Sequence, residues 1–67
     1  MYLFKNELKE EITKKFKIKY IADNVGISTV YLSNIFNGKV SIKKAIAYCI
    51  TKTLDSNKEI DDFFTRV

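Results

Sequence analysis

The chain contains no proline and only two glycines, Gly26 and Gly38. Proline and glycine are the strongest local interrupters of a helix, so helices can run almost undisturbed around these two points. The apolar residues are spaced to match. Phe4, Leu8, Ile12 and Phe16 recur at intervals of four, with lysines and glutamates between them, and predict an amphipathic first helix from about Leu3 to Phe16. Lys17 to Asn24 predicts a shorter helix with Ile18, Ile21, Ala22 and Val25 inward, ended by Gly26 where a left-handed residue is wanted. Ser28 is placed to cap a third helix that runs to Asn37 and is closed by Gly38. Ser41 repeats the capping signal ahead of a fourth helix reaching about Thr53, with Ile42, Ala45, Ile46, Cys49, Ile50 and Leu54 on its apolar side. Ser56 with Glu59 forms a capping-box pattern before a short fifth helix holding Ile60, Phe63 and Phe64. Sustained period-two alternation is missing. The expectation is an all-α, compact five-helix bundle, one domain over residues 1–67.

Composition then removes most chemistry. There is no histidine and one cysteine, Cys49, so neither an internal disulfide nor a Cys/His zinc site can form, and a histidine base for a nucleophile is missing. Two isolated glycines do not make a phosphate-cradling loop. Asp55, Glu59, Asp61 and Asp62 cluster where acidic side chains favourably meet a helix dipole. No enzyme activity, metal or cofactor is expected, and Cys49, on the predicted apolar face, is expected to be a buried, inert thiol. The longest uncharged run, Asn24 to Gly38, is 15 residues and carries Asn, Ser and Thr throughout, so no membrane span is expected. Early glutamates, Glu7, Glu10 and Glu11, do not fit a signal peptide. A reducing cytoplasmic setting follows as the expectation. A core this small supplies only about 3–5 kcal/mol, which favours a homodimer, with Phe63, Phe64 and Val67 as the candidate interface.

One segment carries more specific information. Residues 18–37 read IKYIADNVGISTVYLSNIFN. Two helices joined by a tight turn approach closely only if the contact residue is small and the corner tolerates positive φ; Ala22 and Gly26 supply those needs. Leu32 and Ile35 then face inward. Thr29, Ser33 and Asn37 form an i, i+4, i+8 polar strip, with Val30 and Asn34 alongside.

In this pattern, centred on IADNVGISTVYLSNIFNG, the chain resembles helix-turn-helix DNA-binding domains of the Cro and lambda-repressor type over about residues 4 to 64. The resemblance implies a second motif helix lying in the major groove of double-stranded DNA. Matched position by position, it makes Ser28, Thr29, Val30, Ser33 and Asn34 base-reading candidates and Asn37 a phosphate contact before the turn glycine. It departs at Ile18, where many members carry a Gln that braces a phosphate and a recognition side chain. The recognition helix also lacks Arg, Lys and Gln; Asn34 is its best partner for adenine, and Thr29 and Val30 suit a thymine methyl, so an A·T-containing site is expected.

The charge distribution agrees. Residues 1–54 hold ten lysines and four acidic residues, a balance of +6, and residues 55–67 hold two basic and four acidic residues, a balance of −2. Lys14, Lys15, Lys17 and Lys19 precede the motif and Lys39, Lys43 and Lys44 follow it, so Lys17, Lys19, Lys39, Lys43 and Lys44 are phosphate candidates. Tyr31 either reaches a phosphate or packs on the neighbouring helix. The expected function is a small transcriptional repressor of phage or mobile-element type, dimeric on its operator, nucleoid-associated in a bacterial cell or phage-infected host. The competing expectation is the same bundle used as a protein-binding module or inhibitor, which the uncharged recognition helix keeps open.

Overall fold

The computed structural model describes all residues, 1–67. Strand β1 (Tyr2–Phe4) leads through a single 3₁₀ turn at Asn6–Leu8 into α1 (Lys9–Lys15); α2 (Ile18–Val25), α3 (Thr29–Phe36), α4 (Lys44–Leu54), α5 (Ile60–Phe63) and β2 (Phe64–Arg66) follow. The protein is therefore mostly helical but not all-α. β1 and β2 pair antiparallel with Tyr2 opposite Arg66, Leu3 opposite Thr65 and Phe4 opposite Phe64. Tyr2 also exchanges two backbone hydrogen bonds of 2.8 Å with Ile42, so β1 lies between β2 and the segment ahead of α4.

This pairing explains why the predicted first helix does not begin at Leu3. Phe4 is in phase with Leu8 and Ile12, but it reaches the core from a strand, where its ring lies 4.6 Å from that of Phe36. The Lys5 N–H donates to the Phe63 carbonyl at 2.9 Å and continues the ladder past Phe4. Only after the 3₁₀ turn does α1 start, burying Ile12 and leaning half-buried Leu8 and Phe16 on the core.

The bridge to Ile42 also displaces the start of α4. Ile42 is held in a bridge by Tyr2, so Lys43 rather than Ser41 takes the cap position, and no side chain caps the helix. The buried face of α4 is Ala47, Ile50, Thr51 and Leu54, while Ala45 and Cys49 point to solvent. The predicted stripe is thus rotated by about one position. Thr51 is accommodated there because its hydroxyl donates to the Ala47 carbonyl at 2.8 Å, which lets a polar residue enter the core at little cost. Cys49 is consequently an exposed thiol, not a buried one.

The fifth helix is capped by Glu59 with Asp62, not by Ser56 with Glu59, and it ends before Phe64. Twelve apolar side chains from all parts of the chain form one core, including Phe4, Ile21, Ala22, Leu32, Phe36, Ile50 and Phe64. No buried side-chain nitrogen or oxygen lacks a hydrogen-bond partner. No helix is long and apolar enough to cross a membrane.

Candidate nucleic-acid interface

α2 and α3 are joined by three residues, Gly26, Ile27 and Ser28. Gly26 adopts φ 86° and ψ 32°, and both its N–H and that of Ile27 donate to the Ala22 carbonyl, at 2.8 and 3.1 Å. That is the hydrogen-bonding of a glycine-terminated helix, and it turns the chain sharply. Ala22 is fully buried, as a close approach of two helices requires. Ser28 then caps α3, its Oγ accepting from the Tyr31 N–H at 3.0 Å. At the far end Gly38 (φ 71°) repeats the closure, with Gly38 N–H on the Ile35 carbonyl and Lys39 N–H on the Asn34 carbonyl, both at 3.0 Å. The local signals fix both ends of α3.

Between those ends α3 has two faces. Leu32, Ile35 and Phe36 are fully buried. Ser28, Thr29 and Val30 are exposed, and Ser33, Asn34 and Asn37 are half-buried, so the six form the outward surface. Val30 is 70% exposed, more than any other large apolar side chain of the protein. Tyr31 is half-buried and packs against the core. No residue of α3 is charged.

The lysines divide into two groups. Lys14 and Lys15 pair with Glu10 and Glu11 one turn earlier at 3.5 and 3.7 Å, on a fully exposed helix surface where such pairs are weak. Lys5 donates to the Asp61 carbonyl at 2.8 Å, and Lys52 to those of Ser56 and Lys58 at 3.3 and 2.8 Å. Lys17, Lys19, Lys39, Lys43 and Lys44, by contrast, are exposed and make no side-chain hydrogen bond or ion pair; Lys58, far from the motif in the sequence, is uncommitted as well. Their positions matter. Lys17 and Lys43 occupy the cap positions of α2 and α4, neither of which has a side-chain cap. Uncapped N–H groups, the positive end of the helix dipole and an adjacent ammonium together suit a phosphate oxygen. Lys44 also borders an open depression with Tyr2, Tyr48, Glu59, Ile60 and Asp61, so the acidic end of the chain comes near this one lysine.

Two features were not visible in the sequence. Lys9 of α1 donates to Asn37 Oδ1 at the end of α3, a contact between residues 28 apart that no local pattern signals. Tyr20, exposed on α2 between the uncommitted lysines and Asn24, stacks on Phe16 with ring centroids 6.0 Å apart and planes 9° apart. Phe16 and Tyr20 are four residues apart, but Phe16 is extended ahead of α2, so helical spacing does not signal the contact.

The candidate dimer patch is not assembled as expected. Phe64 is 1% exposed and belongs to the core, because β2 turns its side chain inward beneath Phe4; Phe63 is half-buried, and only Val67, at 66%, is open to solvent. No group of three or more His, Cys, Asp or Glu is placed to hold a metal ion. No protein-family model, curated protein or solved structure matches the chain.

Proposed function

We propose that the protein is a sequence-specific DNA-binding regulator, a repressor of the Cro and lambda-repressor type that its motif resembles. α3 enters the major groove, and Thr29, Val30, Ser33 and Asn34 meet base edges with Ser28 at the entrance. Lys17, Lys19, Lys39, Lys43 and Lys44 hold phosphates on either side. The observation that carries this proposal is the placement of an uncharged, exposed α3 face in a chain whose preceding and following helices both begin uncapped and lysine-bearing. Asn34 and Val30 favour A·T pairs.

Regulation is by occupancy of a palindromic operator in the cytoplasm of a bacterial or phage-infected cell, one copy on each half-site. The protein measures 26 × 25 × 22 Å, so two copies side by side can set their α3 helices one turn of DNA, about 34 Å, apart.

Selection from a pool of random duplexes at two salt concentrations tests the proposal. Enrichment of an A·T-containing palindrome, with affinity falling steeply as salt rises, is the expected result. Failure to enrich any sequence favours the second use of this surface, protein binding, for which the large exposure of Val30 on an uncharged helix is the supporting observation.

A further inference from the structure

The core has one thin wall. Among its twelve residues only Ile12, at 6%, and Leu54, at 8%, are more than 3% exposed. Both line the same cleft, which lies between α1 and the end of α4, with half-buried Leu8, Phe16 and Phe63 as its other apolar walls. The cleft holds about 150 Å³. A cavity of about 150 Å³ lined by Leu, Ile and Phe takes up benzene, so one aromatic ring or one branched aliphatic side chain matches this space.

Four charged residues edge the cleft. Glu11 and Lys15 pair with each other at 3.7 Å, which leaves Asp55 and Lys58. These two sit on a turn that is already braced. The Asp55 N–H donates to the Thr51 carbonyl at 2.9 Å, the Lys58 N–H to the Asp55 carbonyl at 3.1 Å, and the Asn57 N–H to Asp55 Oδ1 at 2.9 Å. Lys52 fastens the turn from α4 through the carbonyls of Ser56 and Lys58. None of these bonds uses Asp55 Oδ2 or the Lys58 ammonium, and the two residues form no ion pair with each other. An apolar slot is thus bordered, on one short turn, by one uncommitted cation and one carboxylate oxygen without a partner.

The two charges select among occupants. A purely apolar molecule fills the slot but engages neither charge. An apolar acid meets Lys58 but also the carboxylate of Asp55, and an apolar amine meets Asp55 but also the ammonium of Lys58. Only a molecule with both charges beside one apolar group matches all three features.

We propose that this cleft is a binding site for a free α-amino acid with a large apolar side chain, the side chain between Leu8, Ile12, Phe16, Leu54 and Phe63, the carboxylate on Lys58 and the ammonium on Asp55. The proposal is independent of the DNA-binding reading, so a protein that binds no DNA leaves it intact.

Amide NMR titration with L-phenylalanine, hydrocinnamate and phenethylamine tests it, the last two lacking the ammonium and the carboxylate in turn. Millimolar L-phenylalanine is expected to shift the amides of Leu8, Phe16, Leu54 and Phe63, and to bind about three- to fivefold more tightly than either analogue, the gain of one ion pair open to solvent. Lys58→Gln should reduce L-phenylalanine to the affinity of phenethylamine. Asp55→Asn keeps the oxygen that accepts from the Asn57 N–H and should reduce it to that of hydrocinnamate. Thermal melting of both variants should match wild type. No shift at these amides, an analogue that binds as tightly as L-phenylalanine, or an affinity for L-phenylalanine unchanged in both variants overturns the proposal. Shifts of the same amides on concentrating the protein alone would assign the cleft to a second copy and overturn it as well.

Discussion

Phe4 and Phe64 meet edge to face, ring centroids 5.4 Å apart and planes at 74°, so the first and last elements of the chain close on one aromatic contact. Both rings are buried, and Phe36 packs against Phe4 from the other side. Phe64→Ala removes a ring from this cluster. A loss of about 3–5 kcal/mol is expected, comparable with the whole stability of a core this small. Circular dichroism should find Phe64→Ala largely unfolded and Val67→Ser as helical as wild type. A folded Phe64→Ala that differs only in oligomeric state would restore Phe64 to an interface role.

At Gly26 the cost of a side chain is conformational only. A Cβ built there meets nothing within 4 Å, but φ is 86°. Gly26→Ala should lose about 1 kcal/mol in denaturant unfolding, and Gly26→Asn clearly less, because Asn tolerates left-handed backbone. Equal losses for the two would mean that space, not backbone, makes glycine necessary.

Ser28 has two roles assigned to it, and they separate by substitution. Removing the Oγ that accepts from Tyr31 N–H costs about 1 kcal/mol in Ser28→Ala, whereas Ser28→Thr keeps the acceptor and the stability. Chemical denaturation of the two variants measures the cap. Their affinity for the selected duplex measures the entrance to the groove.

Much of the α2–turn–α3 unit was legible because its determinants are local. Ala22, Gly26, Ser28 and Gly38 each act within a few residues, and each does in the structure what its type suggests. The strands were not legible. Three residues at each end are too few to show alternation, and they pair only because Tyr2 meets Arg66 across the length of the chain. Phe4 compounded this by falling in helical phase with Leu8 and Ile12. The face of α4 was illegible for a different reason: Thr51 satisfies its hydroxyl on Ala47 and so takes a core position despite its polarity, while Cys49 lies outward. In the candidate interface, the outward residues of α3 were legible from spacing. The partnership of Lys9 with Asn37 was not, since it depends on how α1 lies against α3.

The lysines at the start of α4 supply the cleanest electrostatic test. Lys43 and Lys44 make no intramolecular side-chain bond, so Lys43→Gln with Lys44→Gln should leave the melting temperature nearly unchanged. On DNA the double variant should lose about 0.9 in salt slope for each phosphate contact removed, while the preferred sequence stays the same. An unchanged slope would take α4 out of the interface.

The most direct test of a base-reading α3 is to run the random-duplex selection in parallel with wild type and Asn34→Ala. Asn34 is half-buried on the outward face and makes no side-chain hydrogen bond within the protein, so its amide is available to an adenine edge. Loss of the preference at one base pair of each half-site, worth about 1–3 kcal/mol, with the remaining positions retained, is the result that a major-groove α3 requires. Identical enriched sequences from both proteins, or no enrichment from either, would contradict it.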